Sequence, residues 1–218
     1  MIETNHMKFQ IFIISFLLSL DLLAQKTGPD IKSVFQGFRK APLITLKVDK
    51  KTKSELMGTE TNAPGTIYIS QEKFRWDTDG KEKSRIIFDG EVVWTIQDPP
   101  EGFKIPPQVT KMKFNKKSEG QLLLKSLFTD KFDSHFKVKK KSKSKSDWVY
   151  TLAPVKNNSM FSELEVRIGA NNKIREISYV DEIQNRIEVV VNKIERSKAK
   201  NDKLFQYSPP SDAQVTEI

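Results

Sequence analysis

Apolar side chains recur with two different periods along this 218-residue chain, and the change of period divides it. Ile31, Val34, Phe35 and Phe38 stand at i, i+3, i+4 and i+7 within 30–41, the stripe of one amphipathic helix. Asp30 is a candidate N-cap and Pro42 forbids continuation. Beyond Pro42 the period drops to two. Segments 43–51, 65–70, 73–78, 85–89 and 91–97 alternate apolar with polar, or carry β-branched and aromatic residues, and Asp89-Gly90 supplies a tight turn. The same texture returns in 136–141, 147–153, 161–168, 173–180, 186–195 and a short 204–207. About eleven strands exceed what a flat sheet carries, so the pattern predicts a mainly β (α+β) domain whose antiparallel sheet curls into a barrel or part of one.

Between the halves the texture differs. Pro99-Pro100 and Pro106-Pro107 mark a loop, and Ser118-Glu-Gly-Gln121 has capping-box spacing ahead of Leu122-Leu-Leu-Lys-Ser-Leu-Phe128. A second helix is expected over 119–128. Two amphipathic helices beside a curled sheet have one packing solution, in which both cover its concave face.

The N-terminus is set apart by composition. Lys8 precedes an apolar run over 9–20, which ends in Asp21-Leu-Leu-Ala24. A short basic region, a run of about 12 apolar residues and a small residue at the exit describe a secretory signal peptide, which sends the protein out of the cytoplasm. Cleavage is expected after Ala24, with Met7 as an alternative start, leaving the domain 25–218. The run falls short of the roughly 20 residues that span a bilayer. Gln25 stands where a lipoprotein signal requires Cys, so no lipid is expected on the mature chain.

Thirty-seven Lys and Arg face 28 Asp and Glu. Removing 1–24 takes Lys8, Glu3 and Asp21 and leaves an excess of ten positive charges. Outside the cytoplasm such an excess favours lipid headgroups, envelope polysaccharides or acidic protein faces over nucleic acid. Six lysines crowd into 137–145. They read either as a solvated hairpin tip that shields a strand edge, or as a docking site in which Lys139, Lys140, Lys141, Lys143 and Lys145 meet an anionic membrane or an acidic partner.

Parts for catalysis are scarce. Cysteine is absent, and the two histidines are His6, within the signal, and His135. Asp77-Thr-Asp79-Gly lacks the later ligands of a calcium loop, and no G-x-G occurs. The expectation is therefore no enzyme, no metal and no cofactor. Apolar residues with polar flanks are the stronger signal: Phe74 with Trp76, Ile86 with Phe88, and Val92, Trp94 and Ile96. A curled sheet of this size encloses more volume than two short helices fill, so part of the lining is available to a ligand.

At these residues the chain resembles the LolA family of periplasmic lipoprotein carriers. Gly65-Thr-Ile67-Tyr-Ile69 with Lys73-Phe-Arg-Trp-Asp77 is similar to the family's first strand pair, and Phe88-Asp-Gly-Glu-Val-Val-Trp94 to its D-G-x-x-x-W hairpin. Tyr150-Thr-Leu-Ala-Pro154 resembles the L-T-P strand end, and Lys203-Leu-Phe-Gln-Tyr-Ser-Pro-Pro210 the F-x-F-x-P-P C-terminus. The resemblance implies an unclosed barrel with a helical lid over an apolar cavity that holds a lipoprotein's acyl chains. By that analogy Ile67, Ile69, Phe74, Trp76, Phe88 and Trp94 line the sheet side, and Phe35, Phe38, Leu123 and Leu127 line the lid. The family commonly has Arg-Pro or Lys-Pro shortly before the Phe, where a basic residue helps govern cargo release. Ser70-Gln71-Glu72 occupies that place here, and Arg75 is the basic residue at hand. Asp181-Glu-Ile-Gln-Asn185 matches the family's D-x-x-G-N turn without its Gly. The implied partners are acylated lipoproteins, an inner-membrane exporter and an outer-membrane acceptor, served by a monomer. A lipid- or envelope-stress sensor on the same scaffold is the other reading.

Overall fold

The computed structural model describes residues 28–81, 83–115, 122–155, 163–181 and 183–218. The expected signal peptide and the capping box at 118–121 lie outside them. The fold set out here is that of the unit Ile31–Ile218. Its strands are β1 (Leu43–Ser54), β2 (Thr59–Ile69), β3 (Phe74–Thr78), β4 (Ser84–Phe88), β5 (Val92–Gln97), β6 (Gln108–Lys113), β7 (Phe136–Ser144), β8 (Asp147–Pro154), β9 (Leu164–Ile168), β10 (Ile174–Val180), β11 (Asn185–Ser197) and β12 (Gln214–Glu217). Its helices are α1 (Ile31–Gln36), α2 (Leu123–Thr129) and α3 (Phe132–His135).

All twelve strands belong to one sheet in the order β12-β6-β5-β4-β3-β2-β1-β11-β10-β9-β8-β7. Its ends, β12 and β7, do not pair with each other, so the barrel is unclosed. The long central pair β1 and β11 joins a β2–β6 meander to a β7–β10 meander, and a register shift at Lys47/Val48 kinks the junction. Cross-strand partners share a face. One row runs Ile44, Ile69, Phe74, Phe88, Val93 and Met112 across six strands. A row of the other half runs Val189, Ile177, Val166 and Tyr150. All ten are buried, and all but Met112 join the helices' apolar side chains in one cluster.

The first helix is shorter than its stripe predicts. α1 ends at Gln36, and 37–40 continues as a turn in which the Phe38 amide donates to the Phe35 carbonyl at 3.0 Å. Phe38 still reaches the core, where its ring meets Phe128 at 5.2 Å between centroids. The expected strand 204–207 is instead a 3₁₀ turn, Asp202–Phe205, followed by extended chain. Pro209 and Pro210 lack the amides a ladder requires. The chain then adds β12 beside β6, parallel, covering that edge. β6, β12 and α3 add to the elements that the periodicity marks. Gln108–Lys113 has apolar residues only at Val109 and Met112, which fall on opposite faces, so no alternation marks it.

The sheet's other face has a smaller core of Ile87, Ile96 and Val109, packed with Trp94, Tyr207 and Ala213. Tyr207 sits edge-on to Trp94 at 5.4 Å, with the Arg85 guanidinium 6.0 Å from its ring. The C-terminal segment is thus a strap across the outside. Tyr207→Ala removes that ring and is expected to cost about 1–2 kcal/mol in urea melts, with a red-shifted tryptophan emission; an unchanged midpoint would show that the strap carries no stability.

Gly65 marks a close approach inside. A Cβ there would stand 2.6 Å from the Asp77 carbonyl oxygen and 3.3 Å from the Trp76 indole nitrogen. Backbone cannot swing aside as a side chain does, so Gly65→Val should lose about 2–3 kcal/mol by overpacking. Chemical denaturation checks it, and a loss below about 0.5 kcal/mol would contradict the contact.

Candidate functional site

The concave face and its helices bring together nine of the ten apolar residues singled out in the sequence: Phe35, Phe38, Ile67, Ile69, Phe74, Trp76, Phe88, Leu123 and Leu127. Phe128 stands at their centre, edge-on to both Phe35 and Phe38 at 5.2 Å. Phe132 stacks on Phe35 at 6.3 Å and meets Phe136 at 5.6 Å. These three phenylalanines were not singled out beforehand. The run from Leu122 to Phe128 is apolar at five of its seven positions, so the stripe within it is ambiguous from sequence.

Trp94 is the exception and corrects the expectation. The turn after β4 pairs Phe88 with Val93, so Val93 shares the concave face and Trp94 pairs with Ile87 on the outside. Arg75 is corrected by the same parity. Phe74 and Trp76 point inward, so Arg75 points outward, where its Nε donates to Asp77 Oδ1 at 2.7 Å and its guanidinium to the Leu204 carbonyl at 3.0 Å. A group tied to the outer strap on the convex face is not placed to gate a lid on the concave one.

Beside α2, lined by residues of both halves of the sheet, lies a half-open cavity of about 400 Å³. Phe88, Phe114, Leu122, Leu123, Phe136 and Pro154 form its apolar wall. Gln71, Glu72, Lys125, Ser126, Asp130 and His135 form a polar rim. Burial pushes the Lys125 ammonium below its ordinary range, and Asp130 and Glu72 draw it part of the way back. His135 closes the short α3, with Nε2 3.0 Å from Asp130 Oδ2. It is the last residue of that helix, next to the start of β7 at Phe136. The volume falls within the roughly 300–1,000 Å³ of small-molecule sites.

Polar ties also join the helices to the sheet. Arg196 donates to the Gly37 carbonyl at 3.0 Å, and its guanidinium lies 4.6 Å from the Phe38 ring. Apolar contact is non-directional, so an apolar ligand can replace it without orphaning hydrogen bonds.

The lysine run lies on β7 and the turn after it. Lys139, Lys140, Lys141, Lys143 and Lys145 are all exposed on the free edge of the sheet. The register shifts between Val138 and Lys140. Lys141 lies 5.0 Å from the Trp148 ring and 5.4 Å from that of Tyr150, and Lys143 lies 6.0 Å from Trp148. Lys145 makes the turn with φ of 55°. Among the described residues no three His, Asp or Glu side chains are grouped so as to hold a metal ion.

No curated protein matches the chain by sequence. Solved structures similar to it include an uncharacterised conserved protein from Thermus thermophilus, 13% identical over 86% of this chain and 97% of that one, with a TM-score of 0.47. A LolA superfamily protein from Nitrosomonas europaea is 10% identical over 81% and 96%, with a TM-score of 0.43. A putative outer membrane lipoprotein-sorting protein domain from Vibrio parahaemolyticus is 8% identical over 80% and 94%, with a TM-score of 0.42. The sequence profile of the family described as outer membrane lipoprotein carrier protein LolA matches residues 48–208. With most of the chain inside that match, the protein belongs to the LolA family.

Proposed function

We propose that this protein is a periplasmic carrier that takes the acyl chains of lipoproteins onto its concave face and shuttles them from an inner-membrane exporter to an outer-membrane acceptor. The observation that carries the reading is the seating of aromatic helices on the open apolar face of an unclosed sheet, with a half-open cavity at the lid's margin. An acyl chain of about 15 carbons loses roughly 12 kcal/mol on leaving hydrocarbon for water, at about 0.8 per methylene. A carrier therefore has to offer comparable burial and yet release its load. The lid supports both. When it is closed, Phe35, Phe38, Leu123, Leu127 and Phe128 cover the face. A ligand takes their place when the lid lifts, and the reburial of those side chains favours discharge at the far membrane.

Protein isolated from its own periplasm should carry an acyl-chain mass in native mass spectrometry. Trp76→Glu, which puts a charge on the concave face, should abolish that load and the uptake of a fluorescent acyl probe while the fold persists by circular dichroism. Delipidated wild-type protein that takes up no probe would sink the carrier reading. A load-free protein that instead captures a regulatory protein from envelope extract would favour the sensor.

The lysines of β7 support transient contact with anionic membrane. Replacing Lys139, Lys140, Lys141, Lys143 and Lys145 with Gln should weaken co-sedimentation with phosphatidylglycerol vesicles by about 100-fold or more, at about 1 kcal/mol per basic residue near the surface. Wild-type binding should fade with added salt. Equal binding by the variant would assign these lysines to protection of the free edge alone.

A further inference from the structure

One cation on β1 breaks the pattern that builds the concave face. Ile44, Leu46 and Val48 alternate inward, and the next residue of that parity is Lys50. Its partners across the strands are Ala63 on β2 and Val189 on β11, and Val189 heads the apolar row that continues through Ile177, Val166 and Tyr150. Parity thus demands an apolar side chain and the sequence supplies an ammonium. A half-buried charge in a core row is an informative exception.

Lys50 Nζ lies 5.3 Å from the centroid of the Trp76 ring. Among the described residues no acidic side chain pairs with it at ion-pair distance. The carboxylate that acts on it, Asp181, is engaged elsewhere: its Oδ1 accepts from the Ile183 and Asn185 amides at 3.0 and 2.8 Å, and its Oδ2 from the Asn185 side chain at 3.1 Å. Burial pushes the Lys50 ammonium below its ordinary range, and Asp181 offsets this in part. A second donor is also unused. The Trp76 indole N–H is shut from water with no hydrogen-bond partner, on a residue only 6% exposed. Beside both, Ala63 and Gly65 leave the β2 side of the face low.

We propose that Lys50, backed by Trp76, holds the anionic group, a carboxylate or phosphate, of an amphiphile whose tail lies along the concave face. An anion restores to the ammonium the partner that burial removed. The apolar row leading away from Lys50 selects an ion with a tail over a free one. This assignment rests on the carrier reading and adds the chemistry of the head to that of the chain.

The experiment is calorimetric titration of the full mature chain with hexadecanoate, hexadecyl phosphate, hexadecanol and inorganic phosphate. Wild-type protein should bind the two anionic amphiphiles about tenfold tighter than hexadecanol, a step worth roughly one decade of Kd. Lys50→Met keeps the stem and removes the charge, so all three amphiphiles should then bind as hexadecanol does. Lys50→Arg should keep the preference, which separates loss of charge from loss of fold. An anion preference that survives in Lys50→Met overturns the assignment, as does hexadecanol binding equal to hexadecanoate in the wild type. Inorganic phosphate binding as tightly as hexadecyl phosphate would overturn the amphiphile in favour of a free ion. Failure of every long-chain ligand, hexadecanol included, would remove the carrier reading itself.

Discussion

A sheet that is apolar on its inner face and unjoined along its edges has to be covered by something that is not sheet. That requirement organises the molecule. Twelve strands curl without closing, so their concave face would meet water unless α1, α2 and α3 lie on it. The helices are short, and none is stable on its own by length. What holds them is burial of Phe35, Leu127 and Phe128 against strands from both halves, each at most 1% exposed. A cover held by burial is exchangeable with any other apolar body of similar size. A fixed helix bundle held by directional bonds would not be.

Parity along the strands decides the rest. Each antiparallel pairing passes the inward set from strand to strand, so once Phe74 and Trp76 point inward, the faces of β2 and β4 follow. The same rule sends Arg75 outward to Asp77 and Trp94 outward to Tyr207. The outer face is therefore not bare: Ile87, Ile96 and Val109 form a second core under the C-terminal strap. Those three residues come from the first meander, and their cover, Tyr207 and Ala213, comes from the far end of the chain.

Much of this was legible in the sequence, and the failures have physical causes. Strands with clean alternation, such as β3 and β9, were placed within a few residues, and the greasy run at α2 was recognised as a helix. β6 and β12 escaped because they are bound by pairing with neighbours rather than by an apolar face of their own. The family resemblance set Trp94 on the concave side, and alternation could not correct it, because alternation shows which residues share a face but not which face is concave. Only the turn that pairs Phe88 with Val93 settles it. Lys50 was passed over because a lysine at a strand end reads as solvent-facing unless the register is known.

The charge excess looks uniform in the composition and is not so in the fold. Lysine on the outer edge strand β7 is exposed. Lys141, on that same strand, already leans over Trp148 and Tyr150. Lys50 lies on the central pair of the sheet, over Trp76 and short of a counter-ion. The more deeply the chain places a lysine in the sheet, the more its charge depends on an aromatic ring or an incoming anion in place of water. The lysine on the core row is therefore the one to which an incoming anion offers most.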